Sequence, residues 1–214
     1  MPLLAYCMTA AALQPEPPFS GVNGSPVESM QVAGVQCFFS QVAENQTTGA
    51  RPKEEALAFH RVLQDVFALT AILPFRFPTI VEGESELVAF IEEHASEYRK
   101  ALARLRDAVQ MEIRITSGQS ETRQPQSSGG EYLRRRLAEQ RELETVAQAL
   151  RQTSAFLVRG WLQRDASGAL RCFILLDRGR IAEFQTALGS VQISSNLSVR
   201  VSGPWPATEF VKED

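Results

Sequence analysis

Residues 109–115 read Val-Gln-Met-Glu-Ile-Arg-Ile, an alternation that places Val109, Met111, Ile113 and Ile115 on one face of a half-buried strand. A period of two cannot share one face of a helix, so this segment commits the second half of the chain to a sheet. A helical stretch follows at residues 131–152. Two strands come next, 154–163 and 169–176, joined by a hairpin turn at Asp165–Ala166–Ser167–Gly168. Residues 178–189 read as a short helix ending at Gly189, and residues 197–202 alternate again, with Leu197, Val199 and Val201 inward. The order β-α-β-β-α-β is the split βαβ order of a ferredoxin-like domain.

The first half is also α+β, without a clean version of that order. Residues 3–9 form an apolar strand, and residues 14–28 a loop with four of the eleven prolines. Residues 30–43 break at Gly34 into a strand pair or one bent strand. A helix over residues 53–71 begins near Pro52 and carries a stripe of Ala56, Phe59, Leu63, Val66 and Thr70, with Pro74 stopping it. The longest helix is expected at residues 85–108, with Leu87, Ile91, Ala95, Tyr98, Leu102 and Leu105 on one face. Residues 116–130 are an almost wholly polar loop. The expectation is two α+β domains, 1–108 and 109–214, the second ferredoxin-like, joined by the long amphipathic helix.

At 214 residues the chain can bury a sizeable core without a disulfide or metal. Its 44% apolar content excludes general disorder, and its net charge of −3 argues against a broad nucleic-acid footprint. No apolar run reaches the length of a membrane span. The N-terminus has no positive region of the signal-peptide kind, and Cys7, Cys37 and Cys172 are odd in number and widely spaced. Together these suggest a reducing cytoplasm.

Searches for chemistry find little. There is no phosphate-binding glycine loop and no nucleophile elbow. Gly21 and Gly24 lie among prolines, outside a dinucleotide context. His60 and His94 lack the spacing of a metal pair, and the three cysteines sit in apolar strand context, where they act as small hydrophobes. Arg134, Arg135 and Arg136 read as a solvated helix face. No catalytic, cofactor-binding or metal-binding residue is therefore assigned.

Two segments stand apart. In residues 72–79, Ile-Leu-Pro-Phe-Arg-Phe-Pro-Thr, Pro74 and Pro78 bracket Phe75, Arg76 and Phe77 and force an extended backbone. In residues 201–211, Trp205 lies between Pro204 and Pro206, so the last strand is expected to end at about Gly203. Arg76, Phe75, Phe77, Trp205 and Phe210 are the candidate interaction or domain-clamp residues. Trp205 is expected to be buried as an internal clamp.

The order of ILPFRFPT, a long helix, VQMEIRI, GGEYLRRR and VSGPWPATEFV resembles the gas vesicle protein F/L (GvpF/GvpL) family. GVNGSPVESMQVAGVQCFFSQV resembles its second and third strands, and the likeness runs from Tyr6 to Val211. This chain has Pro78 where the family usually has Gly, and Asp107 and Gln110 where it has Gly and Glu. It has Ala207 and Thr208 where the family commonly has Pro-Tyr. The resemblance implies two α+β domains, the C-terminal one ferredoxin-like. It also implies a minor, non-enzymatic protein needed for gas vesicle assembly in the cytoplasm. The implied partners are the hydrophobic shell protein, during nucleation or at the shell surface, and other accessory proteins. Cofactor, nucleic acid and lipid membrane are not implied. The alternative, an effector-binding regulatory module, rests on fold analogy alone.

Overall fold

The computed structural model describes residues 1–10, 19–42, 52–118, 129–166 and 168–211, and divides into two units. The first takes residues 1–107 together with the tail from Pro206. The second is Ala108–Trp205. The tail thus belongs with the first unit, whereas a cut at residue 108 would leave it with the second.

In the first unit β1 (Leu3–Ala10), β2 (Glu28–Val32), β3 (Val35–Gln41) and β4 (Leu73–Val81) form one antiparallel sheet in the order β2-β3-β1-β4. The break at Gly34 is a tight hairpin, with Ala33 at φ 46° and Gly34 at φ 84°. That pairing of left-handed residues matches the twist of the flanking strands. β1 is buried at seven successive positions and β3 at six, the pattern of strands covered on both faces. α1 (Pro52–Leu69) supplies Phe59, whose ring lies 5.1 Å from that of Tyr6. α2 (Glu84–Arg104) packs Leu87, Ile91, Ala95 and Leu102 inward.

Three expectations change here. The buried face of α1 is Glu55, Phe59, Val62, Val66 and Phe67, rotated from the expected stripe, so that Ala56 and Leu63 are only half-buried. α2 stops at Arg104, because the chain turns at Asp107 (φ 56°) and enters a strand at Ala108. α2 is not the longest helix, being 21 residues against 26 for α3 (Gly129–Ser154).

In the second unit β5 (Ala108–Ser117), β6 (Val158–Ala166), β7 (Ala169–Asp177) and β8 (Leu197–Trp205) form an antiparallel sheet in the order β6-β7-β5-β8. α3 lies between β5 and β6, and α4 (Ile181–Gly189) between β7 and β8. Val109, Met111, Ile113 and Ile115 are fully buried, as are Leu170, Cys172, Ile174 and Leu176 opposite them. β6 starts at Val158 rather than 154, since α3 and a 3₁₀ turn at Ala155–Leu157 take the intervening residues. The two sheets share one spatial strand order. Where the second unit places α3, the described residues 19–27 of the first hold a 3₁₀ turn, Val22–Gly24. The polar loop expected at 116–130 lies mostly outside the described residues.

Candidate functional site

Each sheet ends in an edge strand that carries prolines, and both edges are bulged. In the first, Ala5 pairs with Thr79 and Cys7 with Pro74. Phe75, Arg76, Phe77 and Pro78 therefore stand opposite the single residue Tyr6 and leave the ladder. An edge strand tolerates this, because an outward proline removes no needed donor, and a bulge re-aims side chains. The Phe77 ring turns to Phe59 of α1 at 5.1 Å, while Phe75 turns to Phe90 of α2 at 6.0 Å. Arg76, between them, is exposed, and its carbonyl accepts a hydrogen bond from the Thr79 hydroxyl at 2.6 Å. Among the described residues no carboxylate pairs with its guanidinium.

The second edge corrects the expected strand end. β8 continues through Pro204 to Trp205, with Gln110 opposite Trp205 and Glu112 opposite Ser202. Gly203 sits in the resulting bulge at φ 122°. The Trp205 indole is 38% exposed, which differs from the burial expected of a clamp. The residues that hold the tail are others. Phe210 and Ala207 are buried, and the Arg104 guanidinium donates to the carbonyls of Phe210 and Val211, the latter at 3.0 Å. Sequence reasoning assigned Phe210 but missed Arg104, whose partners are backbone carbonyls and leave no mark in the residue types.

From Phe75 an aromatic stripe runs along α2. Phe90 and His94 lie 5.4 Å apart by ring centroid, and His94 and Tyr98 5.8 Å. The spacing i, i+4, i+8 stacks them on one helix face. Phe90 is 39% exposed and Ile80 on β4 is 44% exposed, so apolar surface borders the Arg76 bulge. A second apolar patch lies on the first turns of α3, where Tyr132, Leu133 and Leu137 are exposed.

The groups that could do covalent chemistry are placed against it. Among the described residues no three His, Cys, Asp or Glu side chains gather as a metal site. His60 is exposed on α1. All three cysteines are buried, and burial pushes the Cys37 thiol up to about 12, the Cys172 thiol up to about 11, and Cys7 well above its ordinary range. A thiol held protonated is a poor nucleophile. It also has a consequence for stability. Above about pH 9 the unfolded chain releases thiol protons that the folded chain keeps, so it binds fewer protons and unfolding becomes easier. The urea midpoint is expected to fall as pH rises from about 9 towards 12, and Cys37→Ala should make that fall shallower. A fall equally steep in the variant would show that Cys37 does not contribute.

A family model described as gas vesicle synthesis protein GvpL/GvpF matches residues 2–212. The chain belongs to the GvpL/GvpF gas vesicle family. Gas vesicle protein F from Streptomyces sp. (strain CB03234) is 26% identical over 219 residues, covering 90% of this chain and 92% of that protein. The crystal structure of GvpF from Anabaena sp. PCC7120 superposes with a TM-score of 0.81 at 14% identity, covering 100% of this chain and 97% of that one. GvpF from Microcystis aeruginosa gives 0.78 at 15% identity over 99% of each. The fold is thus the mixed α+β fold of the GvpF structures, and the chain's role is related to gas vesicles. No helix among the described residues is long and apolar enough to cross a membrane.

Asp107 makes the α2–β5 turn, at the position where the resemblance implies a glycine. Its φ of 56° is a left-handed conformation that Gly adopts freely and Asp tolerates.

Proposed function

We propose that this protein is an accessory, minor structural component of gas vesicle assembly that binds the small hydrophobic shell protein, during nucleation or at the shell surface, together with other accessory proteins. The reading rests on family membership and on one structural observation. The bulged edge of β4 presents Arg76 beside the partly exposed stripe Phe75, Phe90, His94 and Tyr98. A subunit that builds a gas-tight wall has an apolar face to be masked before closure, and a half-exposed aromatic stripe with an exposed cation at its rim suits that face. This role needs no catalytic group or cofactor, and takes place in the cytoplasm.

We read the second unit as a ferredoxin-like domain on its element order and its strand order, and α2 as part of the first domain rather than a free linker. A fragment of residues 108–205 is then expected to fold alone, with a mixed α/β circular dichroism spectrum. A random-coil spectrum would contradict the boundary.

Complementation tests the functional reading. In a strain lacking the gene, the wild-type chain should restore floating vesicles, and Arg76→Ala and Phe90→Ser should restore few. Arg76 is exposed, so its loss is expected to change stability by less than about 0.5 kcal/mol. Full vesicle yield with both variants would overturn the assignment of this surface.

A further inference from the structure

The two sheets have four edges, and three of them are blunted. An edge strand offers a row of unpaired N–H and C=O groups to any other strand, and prolines, bulges and shortness are the usual protections. β4 carries Pro74, Pro78 and a bulge. β8 carries Pro204 and the bulge at Gly203. β2 has only five residues. β6 has nine residues and no proline, its bulge is confined to Arg159, and its register with β7 is unbroken from Gly160 to Ala166. Trp161 and Leu162 put half-buried apolar side chains at its middle. Among the described residues no strand pairs with its outer side.

The register shows which backbone groups face outward. The β6–β7 hairpin closes on Ala166 opposite Ala169, with two residues between them. The closing pair of such a hairpin exchanges both its hydrogen bonds, and bonded and unbonded pairs then alternate along the ladder. Arg164 and Leu162 therefore bond inward to Arg171 and Phe173. The N–H and C=O groups of Trp161, Gln163 and Asp165 point away from β7.

We propose that the β6 edge is the interface of a two-fold homodimer, in which a second copy of this chain lays its own β6 antiparallel along it. This contact is separate from the shell-protein contact of the first unit. Overlap of all nine residues centres the two-fold axis on Leu162, which then meets Leu162 of the second copy. Trp161 stands opposite Gln163 of the second copy, and these two outward residues exchange backbone hydrogen bonds on each side of the axis. Gly160 stands opposite Arg164, so no like charges meet. At both ends Arg159 comes level with Asp165. Arg159 is already ion-paired with Asp177 of its own chain, and Asp165 already accepts from Gln140 of α3 at 2.8 Å, so the facing opposite charges are held in place before the copies meet. Moving the centre by one residue takes Arg159 and Asp165 apart, and centring on Arg164 sets two guanidinium groups face to face. A strand of another protein would satisfy the backbone groups alone. The side-chain match of β6 to itself favours a second copy, and the contact closes as a dimer because each strand has one free side.

Sedimentation velocity of the full chain between about 1 and 100 µM tests this. The wild type should shift from the mass of one chain to that of two across this range. Gln163→Pro removes an outward N–H and no bond to β7, so it should melt cooperatively as the wild type does and stay monomeric. Leu162→Lys leaves the backbone unchanged and sets two ammonium groups together at the axis, and should weaken the dimer at least about tenfold. Val201→Lys, at an exposed position on the opposite edge strand β8, should leave it unchanged. A wild type monomeric throughout, a dimer that survives both β6 variants, or an equal loss with Val201→Lys would overturn the proposal. A monomeric wild type whose binding to the major shell protein is lost in Gln163→Pro would also overturn it and give this edge to the shell subunit.

Discussion

Gly203→Ala is expected to lower the melting temperature of the second unit by on the order of 10 °C. Gly203 stands at φ 122°, where an L side chain is strained by about 1–3 kcal/mol. Its added Cβ would also lie 2.9 Å from the carbonyl oxygen of Gln110 and 2.9 Å from Sδ of Met111. The first of these is backbone in the central strand β5, which has no room to retreat without breaking the ladder. Strain and clash together should cost about 3 kcal/mol or more, and about 1 kcal/mol shifts the melting point of a unit this size by several degrees. Gly179→Ala is the control, since an added Cβ there meets nothing within 4 Å. A melting temperature within about a degree of wild type for Gly203→Ala would show that the β8 bulge relaxes freely.

Gly21→Ala should be comparably damaging to the first unit. The Val22 N–H donates to the Tyr6 hydroxyl at 3.0 Å, Tyr6 donates to the Ser40 hydroxyl at 3.1 Å, and Ser40 donates to the Pro26 carbonyl at 2.8 Å. This chain of bonds is buried at Tyr6, Val22 and Ser40 and ties the loop before β2 to β1 and β3. A Cβ on Gly21 would fall inside van der Waals contact of the Tyr6 hydroxyl and 2.7 Å from the Ser40 hydroxyl, at the centre of the network. Phe59 against the Tyr6 ring keeps it from swinging away. The expected cost is about 2–4 kcal/mol, as overpacking adds to lost hydrogen bonds. Tyr6→Phe isolates the second contribution, leaving the Val22 N–H buried without its acceptor, at about 1–3 kcal/mol. Urea unfolding of the two variants separates them, and Gly21→Ala no less stable than Tyr6→Phe would contradict the packing argument.

What could be read in advance divides by physical cause. β5 was legible because its inner face repeats every second residue, and the α1 boundary at Pro52 because proline suits a first helical turn. The buried face of α1 was not, since two overlapping rows of apolar residues compete and Glu55 is buried among them. Pro204 reads as a strand end, for sequence does not say whether a strand lies at a sheet edge, where proline and a bulge are tolerated. Arg76, Phe75 and Phe77 announced an unusual segment through their bracketing prolines. The stripe of Phe90, His94 and Tyr98 also has a visible spacing of four, but the periodicity groups Tyr98 with the apolar face of the helix, and a lone His or Phe among charged residues does not mark a stripe.

The proposed contact with the gas vesicle shell protein runs through the β4 bulge and the α2 stripe. The most direct measurement immobilises the full chain and titrates detergent-solubilised major shell protein from the same host over it. Saturable binding is expected for the wild type and for Gly179→Ala, with Arg76→Ala and Phe90→Ser weaker by about tenfold or more. No binding to the wild type, or equal binding by all four proteins, would contradict the account.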